Sequence, residues 1–134
     1  MIHAGTDELR KAFNIHRSSA KLATHTSQNL LLFYAVECGL KYAYLRENRL
    51  ASTEDVDPDI LEYKHDITRW FAELKIPAQR ISIKENFRYQ KRDANDHVRV
   101  IHQAWRYGIL VNDDDEKKII SSLKNLESWI EENW

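Results

Sequence analysis

The sequence predicts an all-α fold, an up-down bundle of about five helices that forms one domain over residues 1–134. Three observations lead to this fold class. The chain has 134 residues, which is enough for one hydrophobic core. It contains only three glycines and two prolines, so the turn residues that many short strands need are scarce. Apolar residues recur at steps of three and four over most of its length, as a buried helix face requires.

The composition narrows the expected cellular setting. No stretch is apolar over the length that a membrane span needs, and the first residues lack the apolar core of a secretory signal. Cys38 is the single cysteine, which argues against a disulfide framework and against a thiolate zinc site. We therefore expect a cytoplasmic protein without a membrane partner.

The formal net charge of -1 conceals a separation of charge along the chain. Basic residues gather between Arg80 and Arg106, whereas acidic residues gather in 54–62 and 113–116. A basic surface of this kind suits RNA. The competing interpretation is an ordinary solvated helix face. The candidates for contact with RNA are Lys84, Arg88, Lys91 and Arg99.

The first two helices are defined by their caps and their apolar positions. The first is expected from Thr6, as the N-cap residue, to about Thr24, with acidic residues in its first turn. The second begins at Ser27 or Gln28 and runs to Leu45. This second helix is apolar nearly all round, which predicts that it lies at the centre of the fold.

Two features inside the second helix predict its contacts. Glu37 and Lys41 are its only charges, four residues apart and in the order that favours a pair. A charge in such a helix is either paired for structural reasons or functional, because an isolated buried charge is unstable. A glycine inside a helix is less favourable than an alanine by about 1 kcal/mol. The presence of Gly39 therefore predicts that another helix crosses closely at this position.

The third helix is expected to begin at Asp57 or Pro58 and to close before Pro77. His65 falls in its middle. We expect His65 to hydrogen-bond the end of a neighbouring helix rather than to take part directly in chemistry.

Two more helices complete the predicted bundle. The fourth begins near Ile83, behind a capping-box pattern, and runs to Ile109 if it is unbroken. The last begins at the acidic residues 113–116, which suit a helix N-terminus, and carries an apolar seam to Trp134.

Residues 92–97, Arg-Asp-Ala-Asn-Asp-His, are the leading candidate for chemistry. Arg92 is a permanent cation whose fork of donors matches a phosphate, and His97 can exchange a proton near neutral pH. Such a pair is the minimum needed to cut a phosphodiester without a metal ion. Within one regular helix, however, the two residues lie about 140° apart. They converge only if the helix breaks between 92 and 95 or if a second copy of the chain contributes one of them.

Three pieces taken together resemble the HEPN superfamily of small helical proteins. They are Tyr-Ala-Val-Glu-Cys-Gly-Leu-Lys at 34–41, His-Asp-Ile at 65–67 and the motif at 92–97. The resemblance covers roughly residues 5–134 and implies a metal-independent ribonuclease. In that family the Arg-x4–6-His motif lies at the interface of a homodimer, so that two copies form one composite site. The implied biological setting is toxin–antitoxin or phage-defence biology.

The resemblance implies a role for each of four catalytic candidates. Arg92 would bind and polarise the scissile phosphate, and His97 would be the general base or acid. Asp93 matches the polar position that helps to orient this pair. Glu37 matches a polar residue of the second helix that often stands near the motif. Attack by the 2′-hydroxyl of the RNA would leave a 2′,3′-cyclic phosphate and a 5′-hydroxyl.

One position departs from the pattern of toxins that pair with a nucleotidyltransferase antitoxin. Those toxins often carry a modified tyrosine two residues after the histidine, where this chain has Arg99. An antitoxin or another defence-system protein stays among the expected partners, without that modification. Two alternatives remain: a non-catalytic helical module that binds a nucleotide or a partner enzyme such as a nucleotidyltransferase, and a helical adaptor with a solvated basic stripe. No cofactor is expected, and the histidines lack the spacing of a metal site.

Overall fold

The computed structural model describes residues 2–133, and 63% of these residues are helical, as the sequence predicts. Within this range there is one small sheet of two strands. No helix in the described range is long and apolar enough to cross a membrane. The elements are α1 (Thr6–Leu22), α2 (His25–Glu47), α3 (Pro58–Leu61), α4 (Ile67–Glu73), β1 (Asn86–Arg88), β2 (Asn95–His97), α5 (Ile101–Arg106) and α6 (Asp113–Glu132).

The first helix begins where expected but has a different cap. Gly5, and not Thr6, occupies the N-cap position, and its N–H donates to the Glu8 carboxylate at 3.1 Å. The carboxylate near the first turn also suits the helix dipole. The apolar face of α1 buries Leu9 and Phe13 against α2.

The second helix is the central element, and the predicted close crossing at Gly39 is confirmed. A Cβ atom at Gly39 would lie 2.6 Å from Cδ1 and 2.9 Å from Cγ2 of Ile130, and 2.8 Å from Cδ1 of Phe13. Both neighbours are almost fully buried. Because α1 and α6 both approach the backbone of α2 at this point, only the hydrogen of glycine leaves enough room.

The predicted third helix is wrong in one respect, because the chain forms two short helices with a turn between them. Lys64 adopts a left-handed backbone conformation with φ of 48°, which ends the helical path. The Asp66 side chain then caps α4 by accepting from the Thr68 N–H at 3.2 Å. The buried Trp70 fixes the turn by donating its indole N–H to the Lys64 carbonyl at 3.1 Å. His65 therefore lies in a turn and not in the middle of a helix.

The predicted fourth helix from Ile83 to Ile109 is also wrong. The chain instead forms an antiparallel hairpin, in which Phe87 is paired with Asp96, and α5 begins only at Ile101. Phe87 is buried, but Ala94, which a helix would have placed on the same face, is exposed in the turn. The Asp, Ala and Asn residues at 93–95 are compatible with that turn, since Asn and Asp readily form local backbone hydrogen bonds.

The last helix agrees with its predicted start and seam. Asn112 is the N-cap and accepts from the Asp115 N–H at 3.1 Å, in front of an acidic first turn. The predicted seam residues are buried, namely Ile119, Leu123, Leu126 and Ile130. Trp134, the last residue predicted on this seam, lies outside the described residues.

Gly39→Ala should lower the free energy of unfolding by about 1–2 kcal/mol. The added methyl group would overlap Ile130 and Phe13, and this overpacking outweighs the gain in helix propensity of about 1 kcal/mol. Urea denaturation provides the measurement. Ser121→Ala, at an exposed position of α6, serves as the control and should change stability by a few tenths of a kcal/mol at most. A Gly39→Ala protein as stable as the unaltered chain would show that the crossing is looser than described.

Candidate functional site

The hairpin carries the Arg92–His97 motif at the surface. Arg92 and Asp93 are exposed in the connection between the strands, and His97 is the last residue of β2. The guanidinium carbon of Arg92 lies 5.4 Å from the centroid of the Tyr89 ring, which is a cation–π arrangement. Arg92 and Lys91 both border an open cleft of about 260 Å³ beside residues 108–110.

Strand alternation separates Arg92 from His97 within one chain. Directly opposed residues of an antiparallel pair share a face, and successive residues alternate. His97 is opposite Asn86, so it projects from the face opposite to that of its neighbour Asp96. Tyr89 donates its hydroxyl to Asp96 and therefore lies on the Asp96 face, and Arg92 covers the ring of Tyr89. Within one chain, Arg92 therefore lies over the Tyr89 ring on the Asp96 side of the hairpin, whereas His97 projects from the other face.

His97 uses one ring nitrogen to cap the chain that follows it. Its Nδ1 accepts from the Arg99 N–H at 3.1 Å, at the start of a 3-10 turn over Val98–Val100. In this arrangement the neutral ring carries its proton on Nε2. That nitrogen can donate a hydrogen bond to a phosphate oxygen. To act as a base, however, the ring must take the other tautomer and give up the cap.

Two of the four basic candidates for RNA contact are engaged by one buried carboxylate. Asp115 accepts from the Arg88 side-chain Nε and from the Arg88 backbone N–H, both at 2.9 Å, and lies 3.6 Å from Nζ of Lys84. These donors lower the pKa of Asp115 to about 2, the Arg88 side chain contributing most. Arg88 and Lys84 therefore hold the hairpin against α6. The other two candidates, Lys91 and Arg99, are exposed.

Glu37, the fourth catalytic candidate, lies in a different cluster and has two polar partners. Its Oε1 is 2.5 Å from Nδ1 of His65, and its Oε2 accepts from Nζ of Lys41 at 3.1 Å. Burial raises the pKa of Glu37, but the hydrogen bond from His65 and the charge of Lys41 outweigh burial and lower it. The carboxylate is therefore ionised. The predicted Glu37–Lys41 pair is confirmed, whereas the expectation that His65 contacts a helix end is wrong.

The carboxylate orients the His65 ring. An ionised carboxylate is only an acceptor, so Nδ1 of His65 must carry the proton in this contact and Nε2 is left with a lone pair in the neutral ring. The His65 side chain is 47% exposed. It borders a cleft of about 280 Å³ together with Lys41 and Lys64. A proton acceptor thus stands beside two cations at an accessible surface.

A second histidine packs behind His65. His102 is buried in α5 and stacks on Phe33, with 5.1 Å between the ring centroids. The centroid of its ring lies 4.8 Å from that of the His65 ring. Burial lowers the pKa of His102, and His65 lowers it further, so His102 is neutral. Within residues 2–133 its Nδ1 has no hydrogen-bond partner.

The sequence predicted only one of the residues that surround Glu37. The signal for it was a single carboxylate in an otherwise apolar stretch of α2, which requires partners. That signal identified Lys41, four residues away, but His65 and His102 are separated from Glu37 by long stretches of chain. Within the described range, no group of three His, Cys, Asp or Glu side chains is arranged to hold a metal ion.

A larger cleft, of about 620 Å³, lies between α1, α2 and α6, away from both clusters. Arg17 lines this cleft, and its guanidinium group lies 2.9 Å from the Glu131 carboxylate and 3.5 Å from the Glu127 carboxylate. Among its lining residues in the described chain there is neither a histidine nor a cysteine. It therefore lacks a side chain that exchanges protons near neutral pH.

Comparison of this chain with protein-family models, with curated proteins and with solved structures finds no match. The resemblance to the HEPN superfamily therefore depends on the three sequence pieces at 34–41, 65–67 and 92–97. Two of these pieces are in direct contact, since Glu37 belongs to the first and His65 to the second.

Asp115→Asn should lower the free energy of unfolding near neutral pH by about 1–2 kcal/mol, because it weakens the charged hydrogen bonds that the buried Asp115 accepts from the backbone N–H and the exposed side chain of Arg88. The folded-state pKa of Asp115 is about 2, against an ordinary value of 3.8. The stabilisation is therefore complete above the ordinary value and is lost as the pH falls towards 2. Urea denaturation at several pH values measures both effects.

Asp114→Asn is the matched control, because Asp114 is exposed in the same helical turn. It should leave both the stability and its pH dependence nearly unchanged. If Asp115→Asn lost stability with acid as steeply as the unaltered chain, the hairpin anchor would have to be assigned elsewhere.

Proposed function

We propose that this chain is a metal-independent endoribonuclease of the HEPN type that acts as a homodimer. The observation that carries the proposal is a set of exposed cations around the hairpin: Lys91 and Arg92 lie in the connection between its strands, and Arg99 lies two residues after His97. Cations with an adjacent aromatic ring suit a single-stranded RNA, since phosphates bind the cations and bases stack on rings. The setting in toxin–antitoxin or phage-defence biology comes from the sequence resemblance alone.

The proposed reaction is attack by the 2′-hydroxyl of the RNA on its neighbouring phosphate. Arg92 binds two phosphate oxygens and stabilises the charge that develops on them. His97 of the second chain gives its Nε2 proton to the departing 5′-oxygen as the bond from phosphorus to that oxygen breaks. A water molecule takes the proton of the 2′-hydroxyl and returns a proton to His97, and Asp93 orients the pair. The products are a 2′,3′-cyclic phosphate and a 5′-hydroxyl. In the proposed dimer, Arg92 of one chain and His97 of the other reach the same phosphate, and this arrangement is compatible with the different faces of the hairpin on which they lie within one chain.

The second candidate function is a non-catalytic helical module that binds a nucleotide or a partner enzyme such as a nucleotidyltransferase. One observation favours it, namely the hydrogen bond from the Arg99 N–H that occupies Nδ1 of His97. A protein of this kind would bind RNA in low salt, with an affinity that falls as salt rises, and would leave it intact.

Purified protein should cut total RNA in the presence of EDTA, and both Arg92→Ala and His97→Ala should reduce the rate by roughly 100-fold or more. Lys117→Ala, at an exposed position of α6, controls for the loss of one positive charge. The products should carry a 2′,3′-cyclic phosphate. Loss of cleavage in EDTA would contradict the metal-independent mechanism, and binding without any cleavage would favour the non-catalytic module.

Mixing the two inactive variants tests the composite site directly. If each site takes Arg92 from one chain and His97 from the other, then a mixed dimer of Arg92→Ala and His97→Ala contains one intact site of its two. After subunit exchange, an equal mixture should therefore regain about one quarter of the unaltered activity. If the mixture exchanges subunits and stays inactive, both residues act within the same chain or neither acts as proposed.

A further inference from the structure

The cleft beside Arg92 combines charged and apolar surface. It is bordered by Lys91 and Arg92 from the hairpin and by residues 108–110, Gly-Ile-Leu, from the connection between α5 and α6, and Tyr89 also lines it. The backbone of a nucleic acid is charged, whereas each base has two flat faces that stack on apolar and aromatic groups. The cleft therefore offers a matching surface to both parts of a nucleotide.

Backbone hydrogen bonds hold the apolar side of the cleft against the hairpin. The Gln90 N–H donates to the Leu110 carbonyl at 3.1 Å, and the Gln90 side-chain amide donates to the Val111 carbonyl at 2.9 Å. Tyr89 and Val111 form an isolated antiparallel bridge beside these bonds. The position of Leu110 relative to Tyr89 is therefore fixed by pairing of the main chain.

Gly108 turns the chain from α5 into this side of the cleft. Its φ of 67° lies in the left-handed region, which glycine adopts without strain at the end of a helix. The Ile109 N–H donates to the Ala104 carbonyl at 2.8 Å and closes the helix end. Apart from its chain neighbours, no heavy atom of residues 2–133 lies within 4 Å of the place that a Cβ atom would take at Gly108. The cleft is therefore open here to an incoming ring.

The connection between α5 and α6 also leaves large apolar side chains uncovered. Leu110 is 45% exposed and Tyr107 is 68% exposed. A single exposed apolar residue is ordinary on a protein surface. Here, however, two of them lie within four residues of each other, and Leu110 borders the same cleft as two exposed cations. This combination is typical of a surface that binds single-stranded nucleic acid.

The position of Arg92 allows it to hold a phosphate at the edge of the cleft. The Tyr89 ring beneath it is fixed by the hydroxyl bond to Asp96 and by an edge contact with Phe87, with 5.3 Å between the ring centroids. A guanidinium group that lies over a ring keeps its N–H groups in its own plane, where they can bind a phosphate. A nucleotide whose phosphate is bound by Arg92 thus has its base beside the cleft.

We propose that this cleft binds one unpaired base of the substrate, the base next to the phosphate that Arg92 holds. Leu110 provides the apolar contact to the base, and Lys91 binds a neighbouring phosphate. This inference rests on the proposed ribonuclease function for its choice of RNA. It narrows the substrate to RNA with an unpaired nucleotide at the cut, because a base in a protein cleft has left the helical stack.

Two oligonucleotides of equal charge test the contribution of the base. One is a short 2′-O-methyl oligoadenylate, which lacks the attacking hydroxyl and stays intact. The other has the same backbone and length but carries no bases. Fluorescence anisotropy at one low salt concentration should show that the unaltered protein binds the oligoadenylate at least about 5-fold more tightly, as one stacked base requires.

Leu110→Ser should reduce this preference to about 2-fold or less and leave the affinity for the baseless oligonucleotide unchanged. The thermal unfolding temperature should stay nearly the same, because the side chain is partly exposed and the main-chain bonds remain. Ile15→Ser, at a 61% exposed position of α1, is the matched control and should keep the full preference. Lys91→Ala should weaken the binding of both oligonucleotides by a similar factor, since a phosphate contact is independent of the base.

The outcomes separate this inference from the proposed function. Equal affinity for the two oligonucleotides, or a preference that Leu110→Ser leaves intact, overturns the base-binding cleft even in a protein that cuts RNA. If the protein cuts no RNA but shows a preference for bases that Leu110→Ser removes, the ribonuclease proposal fails and the cleft is supported as a binding site for single-stranded nucleic acid.

Discussion

The buried carboxylate of Glu37 is the constraint on which the site depends. It lies in the middle of α2, a helix packed on several sides by apolar residues, where an unpaired charge would be destabilising by several kcal/mol. Lys41 reaches it from the next turn of the same helix, and His65 reaches it from the turn between α3 and α4. The hydrogen bond from His65 stabilises the buried carboxylate, and it also fixes the tautomer of the exposed His65 imidazole.

Local sequence patterns were sufficient to predict the three long helices, α1, α2 and α6. Each of the patterns that predicted them involves residues only a few positions apart. These patterns are the apolar periodicity of α1 and α6, the apolar character of α2 on all sides, and the acidic first turns. Gly39 could also be interpreted from sequence, since a glycine inside a strong helix suggests a close neighbour, here Ile130 and Phe13. The partner of Glu37 within α2 was predictable for the same reason, because Lys41 is one turn away.

The parts that sequence reasoning missed depend on contacts between distant residues. Phe87, Val98 and Trp105 are all buried, and their spacing also fits one face of a helix. The chain forms a hairpin there instead, and its first strand is held by the hydrogen bonds between Arg88 and Asp115, which is 27 residues further along the chain. His65 reaches Glu37 across 28 residues, which no local pattern specifies. For the same reason the site candidates divide into two groups in the structure, with Arg92, Asp93 and His97 on the hairpin and Glu37 in the cluster with His65.

His65 and His97 differ in which ring nitrogen carries the proton, and this difference can be measured directly. The ¹⁵N chemical shifts of the imidazole nitrogens report which nitrogen of a neutral ring carries the proton. His65→Asn and His97→Ala assign the two sets of signals. The structure predicts a proton on Nδ1 and a bare Nε2 in His65, and the opposite tautomer in His97. A His65 ring with its proton on Nε2 would contradict the described contact, because a nitrogen lone pair would then face the ionised Glu37 carboxylate.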